Sequence, residues 1–177
     1  EAATAILRER PDLVGVSVNF VSLLKNARKI AQSVRKQAPE LPIVFGGNFA
    51  TFVSDRLIRK RWVDAIVLRE GDMSFPRLLE GLRDQGSLSP IEGTVVKERG
   101  RPRRVDFTDF VRDLDSLPFT AYDLLRAPER YLFSAATSRG CPYDCIYCST
   151  KRMWGAWRCR SAGNVLREID NLLPLLP

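Results

Sequence analysis

Two spacings of apolar residues alternate along the first half of the chain. Leu13-Val14-Gly15-Val16-Ser17-Val18, Pro42-Ile43-Val44-Phe45 and Val63-Asp64-Ala65-Ile66-Val67-Leu68 are short apolar runs rich in β-branched residues. Such runs suit strands covered on both faces. Between them the spacing lengthens. Leu23, Ala27, Ile30 and Val34 step by three or four residues, which predicts a helix over residues 21–38, and Leu24 and Ala31 widen its apolar stripe. Helices are also predicted at residues 1–10, around Ala50–Lys60 and from Ser74 to about Asp84. Strands alternating with helices of this length predict a parallel sheet with helices on both faces.

After Asp84 the pattern changes. Residues 91–97 and 103–107 predict a β-hairpin around Glu98-Arg99-Gly100-Arg101. The stretch 108–130 carries Pro118 and Pro128, and its apolar residues Phe110, Leu114, Leu117, Phe119, Tyr122, Leu124 and Leu125 predict a packed linker. A new strand is expected at Tyr131–Thr137 and a helix at Gly163–Leu173. The expected division is a first domain over 1–105, a linker over 106–130 and the beginning of a second domain over 131–177. The chain opens on a helix and has no initiator Met, so the expectation is a fragment lacking the first strand of its sheet.

Composition narrows the chemistry. In 177 residues there is no histidine, so a Ser-His-Asp triad, a Cys-His pair and a His-containing zinc site are unavailable from within this sequence. Hydrophobic residues make up 45% and charged residues 28%, which excludes a disordered chain. No apolar run approaches the ~18 residues of a membrane span, and no secretory signal is visible, so a cytoplasmic protein without a membrane partner is expected. The net charge of +7 reflects basic residues spread widely, with small clusters at Arg99–Arg104 and Lys151–Arg160. They are not interleaved with aromatics on one face, and a nucleic-acid partner is not expected.

The four cysteines, Cys141, Cys145, Cys148 and Cys159, all fall in the last quarter of the chain. This clustering points to a metal or redox centre rather than to disulfide stapling. Cys141, Cys145 and Cys148 share one loop, because Gly140 permits an unusual backbone angle and Pro142 biases Cys141 away from helix. Three thiolates on a short loop can wrap one face of a four-iron cluster and leave one iron without a protein ligand. A zinc site would need a fourth ligand, and the spacing to Cys159 does not divide into the usual pairs. Arginines beside Cys159 could lower its pKa, but an incidental free thiol accounts for it equally.

The segment Thr137-Ser138-Arg139-Gly140-Cys141-Pro142-Tyr143-Asp144-Cys145-Ile146-Tyr147-Cys148, followed by Ser149, resembles the cluster motif of radical S-adenosylmethionine (SAM) enzymes. The resemblance implies a [4Fe-4S] cluster on Cys141, Cys145 and Cys148. Its open iron would chelate SAM, Tyr147 would lie against the adenine, and reductive cleavage would yield a 5′-deoxyadenosyl radical. No catalytic side chain beyond these is assigned.

Residues upstream resemble the cobalamin-binding domain that precedes the radical barrel in one branch of that family. The matching segments are Pro11–Val18, Pro42–Gly47, Asp64–Asp72, Leu114–Phe119 and Tyr122–Leu125. The implied fold is α/β: a doubly wound, flavodoxin- or Rossmann-like parallel sheet, followed by the first strand and helix of a truncated radical SAM (β/α) barrel. Ligands of open α/β sheets sit beyond the carboxyl ends of strands. Ser17, Gly46, Gly47, Asn48, Glu70 and Gly71 fall there, and the resemblance makes them the lining of a cobalamin pocket. The sequence departs from the family in having Asn48-Phe49 after the glycine pair, where Pro-His or similar is frequent, and in offering no lower histidine ligand.

The function implied is cobalamin-dependent methylation or rearrangement of a small-molecule substrate. An electron donor such as flavodoxin or ferredoxin would be the partner, and the chain alone is not expected to turn over. Two alternatives stay open at this point. One is a radical SAM methylthiotransferase acting on tRNA, favoured by the basic charge but not by the absence of cysteine before residue 141. The other is a non-enzymatic zinc- or nucleic-acid-binding module.

Overall fold

The computed structural model describes residues 1–125 and 133–175. They form two compact units, Glu1–Asp109 and Phe110–Pro177. The first unit is built on a five-stranded sheet in the order β1 (Val14–Ser17), β2 (Ile43–Gly46), β3 (Ala65–Val67), β4 (Thr94–Glu98), β5 (Arg101–Val105). The first three strands are parallel, with Val14 opposite Ile43 and Val44 opposite Ala65. The expected hairpin, β4 and β5, then extends the sheet antiparallel, with Ile66 opposite Val95. The fold is therefore α/β on a mixed sheet.

Helices α1 (Ala2–Arg8), α2 (Val21–Gln37), α3 (Asn48–Phe52) and α4 (Ser54–Leu57) cover one face. Strands that step in one direction through right-handed crossovers place their helices on the same side. Ala27, Ala31 and Val34 of α2 are buried there against Ile43, Phe45 and Ile66. The small side chains let the helix approach the sheet closely. The predicted stripe is rotated slightly: Leu23 is exposed, and Leu24 and Ile30 flank the buried line. Phe45, 1% exposed, meets Trp62 with ring centroids 5.4 Å apart. On the opposite face α5 (Ser74–Gln85) buries Leu78 against Val44, Ala65, Val67 and Val96. Alternate residues of β2 thus feed different cores, as the two-residue period of a strand requires.

One end of the parallel strands is bolted shut. The Asp64 carboxylate accepts a hydrogen bond from the Ile43 backbone N–H at 2.8 Å and pairs with the Arg35 guanidinium. Arg35 also donates to the carbonyls of Pro39 and Leu41. The Lys97 ammonium donates to the carbonyls of Lys60 and Val63, and burial depresses its pKa. The outer edge is protected differently. All of β5 is exposed, and its run Arg101-Pro102-Arg103-Arg104 puts charge and a missing N–H where another strand would pair. Arg104 is tied to Asp55 at 3.2 Å and to Asp106 at 2.6 Å.

Three elements differ from the sequence expectation. The helix expected over Ala50–Lys60 begins directly at Asn48 and breaks at Val53 into two short pieces. In the second unit, the strand expected at Tyr131–Thr137 lies partly outside the described residues. Within them the pairing falls on β6 (Ser138–Arg139), antiparallel to β7 (Arg158–Cys159). A short helix, α6 (Thr150–Trp154), follows the cysteines, and α7 (Ala162–Leu172) accounts for the last predicted helix. Two turns of 3-10 helix, Leu114–Ser116 and Tyr122–Leu124, lie in the segment before them. Among the described residues no helix is long and apolar enough to cross a membrane.

Candidate functional sites

The carboxyl ends of β1, β2 and β3 form the open end of the first unit. Register places Ser17 opposite Gly46. The loops beyond are joined by hydrogen bonds. The Val18 carbonyl accepts from the backbone N–H groups of Phe49 and Ala50 at 3.0 and 3.2 Å, so the start of α3 is docked on the end of β1. Asn19 bridges further: its Oδ1 accepts from the Asn48 N–H at 3.2 Å, and its Nδ2 donates to Ser17 Oγ at 3.4 Å. Thr51 carries the connection onward. Its hydroxyl donates to the Gly47 carbonyl at 3.0 Å and accepts from the Arg69 N–H at 2.9 Å. Ser17, Gly46, Gly47 and Asn48 are thereby brought to one edge, and Thr51 ties that edge to the loop holding Glu70 and Gly71. Asn19 and Thr51 were not singled out from sequence. Each is an ordinary polar residue whose role appears only when the loops meet.

The two glycines are not equivalent. Gly47 has φ 93°, and a Cβ there would stand 2.6 Å from Asn19 Oδ1 and 2.9 Å from the Val18 carbonyl oxygen. The turn itself requires glycine at this position. At Gly46 the nearest heavy atom to an added Cβ would be 3.8 Å away, an ordinary contact. Glu70 is only 3% exposed, so its side chain is buried. Exposed apolar side chains, Phe20 and Val21 after β1 and Met73 after β3, rim the same end. This edge combines hydroxyl and amide groups, one uncrowded glycine and an apolar rim.

The cysteine loop belongs to the second unit. It leaves β6 at Gly140, whose φ is 84° and where a side chain would collide with the Ala156 carbonyl. It returns through α6 to β7, which lies beside β6 with Ser138 opposite Cys159. Arg160 fastens this frame. Its backbone N–H donates to the Thr137 carbonyl at 2.9 Å, and its guanidinium donates to the Ala136 carbonyl at 3.0 Å and to Asn164 Oδ1 at 2.6 Å. The guanidinium also pairs with Glu168, the two side chains being 11% and 4% exposed, and lies over the Phe119 ring at 5.6 Å. Glu168 in turn accepts from the Thr120 N–H at 3.3 Å, while Asp115 accepts from the Ser161 N–H at 2.9 Å. A second arginine, Arg158, stacks over Phe110 at 5.1 Å and donates to the Trp154 carbonyl at 2.8 Å.

Within this frame all four cysteines are free thiols; Cys141 is half-buried, and Cys145, Cys148 and Cys159 are exposed. The Cys148 N–H donates to the Cys145 carbonyl at 3.0 Å, and Lys151 pairs with Asp144 at 2.7 Å across the loop. The hydroxyl and backbone N–H of Thr150, beside Cys148, hold that thiol below its ordinary pKa. Ile146 and Tyr147 are 103% and 89% exposed, so the loop presents an apolar and aromatic tip next to its sulfurs. Among the described residues, no three His, Cys, Asp or Glu side chains converge on one position for a metal ion. The donor set, three free thiols without a nitrogen ligand, fits an iron–sulfur group. A buried ion pair that loses one partner leaves an uncompensated charge, so Arg160→Ala should destabilise this unit by about 3–5 kcal/mol. Hydrogen exchange at Ser138 and Arg139 should accelerate accordingly, and protection equal to that of the unsubstituted chain would contradict the role given to Arg160.

Residues 1–79 match the family model for the B12 binding domain. Over 97% of its length the chain is 29% identical to an uncharacterized methyltransferase of Pyrococcus horikoshii, of which it covers 39%. It is 31% identical over 97% of its length to the hopanoid C-3 methylase of Methylococcus capsulatus, covering 35% of that protein. The anaerobic magnesium-protoporphyrin IX monomethyl ester cyclase of Rubrivivax gelatinosus is 27% identical over 93% of the chain, which covers 31% of it. The chain thus spans roughly a third of the length of these curated relatives. Its fold matches that of TsrM, a radical S-adenosylmethionine methyltransferase from Kitasatospora setae, with a TM-score of 0.76 at 18% identity, over 98% of this chain and 37% of that one. Residues 1–79 thus match a B12 binding domain, and over nearly its whole length the chain is similar to methyltransferases and to a cyclase.

Proposed function

We propose that this chain is the cobalamin- and cluster-binding portion of a radical SAM enzyme that methylates or rearranges a small-molecule substrate. The observation that carries the reading is the pairing of a B12-binding match over residues 1–79 with three free thiols on one framed loop. Cys141, Cys145 and Cys148 would hold a [4Fe-4S] cluster, and Tyr147, exposed beside them, would lie against the adenine of SAM. A bound cluster supplies one electron at a time for reductive cleavage of a sulfonium, so a reductant such as flavodoxin or ferredoxin would be needed. The side chains do the rest by holding and shaping. Gly140 and Arg160 fix where the loop starts and ends, and the exposed tip leaves the sulfurs open to an incoming nucleotide.

In the first unit, Ser17, Asn48 and the backbone around Gly46-Gly47 would receive the nucleotide tail of cobalamin, with Glu70-Gly71 shaping the neighbouring loop. These residues include no histidine, so the lower face of the cobalt would not be ligated by one from this sequence. The methyltransferases and cyclases among the relatives favour group transfer to carbon or ring formation as the reaction class.

Anaerobic reconstitution with iron and sulfide tests the cluster. The chain should take up about four irons, the content of one [4Fe-4S] centre. Replacing Cys141, Cys145 or Cys148 by alanine should abolish uptake, whereas Cys159→Ala should retain it. A colourless protein with one zinc, or loss of iron on Cys159→Ala, would sink the assignment. Hydroxocobalamin titration tests the crevice. Gly46→Ala should keep the unfolding midpoint and weaken binding by about tenfold or more, ~1.4 kcal/mol. Gly47→Ala should cost about 1–3 kcal/mol of stability through its left-handed turn. Binding unaffected by Gly46→Ala would remove that residue from the pocket.

A further inference from the structure

Thr150 is the first residue of α6 and the second after Cys148. Cys148 Sγ stands 3.2 Å from Thr150 Oγ1. In the free protein the thiol donates this bond. A thiolate bound to metal has no proton to give, so the same contact is then made with the hydroxyl donating to sulfur. Among the described residues, Cys148 is the member of the loop trio with a side-chain hydroxyl at hydrogen-bonding distance.

The hydroxyl is not loosely placed. Met153, one turn further along α6, is 1% exposed, and its N–H donates to the Ser149 carbonyl at 3.0 Å. Lys151, the next residue of α6, pairs with Asp144 of the cysteine loop at 2.7 Å. Thr150 is β-branched, which limits its hydroxyl to few χ1 rotamers. Hydrogen bonds to ligating sulfurs withdraw negative charge from an iron–sulfur group, favour its reduced form and raise its potential.

We propose that Thr150 is a positioning residue for the third cluster thiolate and that its hydroxyl raises the midpoint potential of the iron–sulfur group. The proposal rests on the cluster assignment made for Cys141, Cys145 and Cys148. Thr150 touches neither substrate nor nucleotide in this role; it acts through the Cys148 sulfur. It makes the centre easier to reduce than the same three thiolates would be alone.

The test is a redox titration followed by electron paramagnetic resonance on the anaerobically reconstituted chain, with iron content measured first. Thr150→Val keeps the β-branch and removes the hydroxyl; its midpoint should be more negative than that of the unsubstituted protein at equal iron content. Thr150→Ser keeps the hydroxyl and should restore the original midpoint. An unchanged midpoint in Thr150→Val overturns the proposal. So does a Thr150→Ser value that follows Thr150→Val, which would assign the effect to the lost methyl packing. Iron lost in Thr150→Val but kept in Thr150→Ser also overturns it, because the residue would then serve assembly rather than potential. If the unsubstituted chain takes up no iron, the cluster assignment itself fails, and the proposal with it.

Discussion

The cysteine loop is held by one buried guanidinium. Arg160 meets the residues just before β6, the helix α7 and a phenylalanine from the preceding segment. A charge in such a place is tolerated because the Glu168 carboxylate, the Asn164 side-chain amide and the backbone carbonyls of Ala136 and Asn164 share the guanidinium protons. The consequence is mechanical. The loop's entrance and exit cannot drift apart without stranding that charge. The frame is fixed, while the tip carrying Ile146 and Tyr147 beside the thiols is exposed.

The first unit solves the opposite problem. A sheet has two ends, and a ligand site needs one of them open. Asp64, Arg35 and Lys97 close the amino ends of β2 and β3 with ion pairs and ammonium-to-carbonyl bonds. The carboxyl ends are joined through the Val18 carbonyl, Asn19 and Thr51, which tie the loops together along their sides and leave Ser17 exposed at the edge. The conformational demand on glycine falls on Gly47, while Gly46 keeps the space. A pair of glycines that looks redundant in sequence is therefore unequal: Gly47 makes the turn, while Gly46 would take a Cβ at ordinary contact distance from Val67.

Much of this was legible beforehand for definite reasons. The three parallel strands announce themselves because both faces are covered, which leaves apolar runs at Val14, Val44 and Ile66 with no polar alternation. The hairpin around Gly100 follows from turn chemistry. The cysteine trio is visible because its spacing and its Gly140 start are local properties. What the sequence hid is equally physical. Strands β6 and β7 pair two residues each and α6 is a five-residue helix, all too short to show a period. Asn19, Thr51 and Arg160 act between segments far apart in the chain, so no window of sequence contains both partners. Leu23 was drawn into the α2 stripe by its spacing, yet the helix is rolled so that Ala27 and Ala31 face the sheet.

The central claim is that three thiolates hold a cluster with one iron left for a sulfonium nucleotide. The most direct measurement is electron paramagnetic resonance of the reconstituted, reduced chain with and without saturating SAM. The account predicts a four-iron signal whose g-values change when SAM is added, since the nucleotide would bind the unligated iron. A spectrum indifferent to SAM, or one showing that corner already occupied by a side chain of this protein, would contradict it.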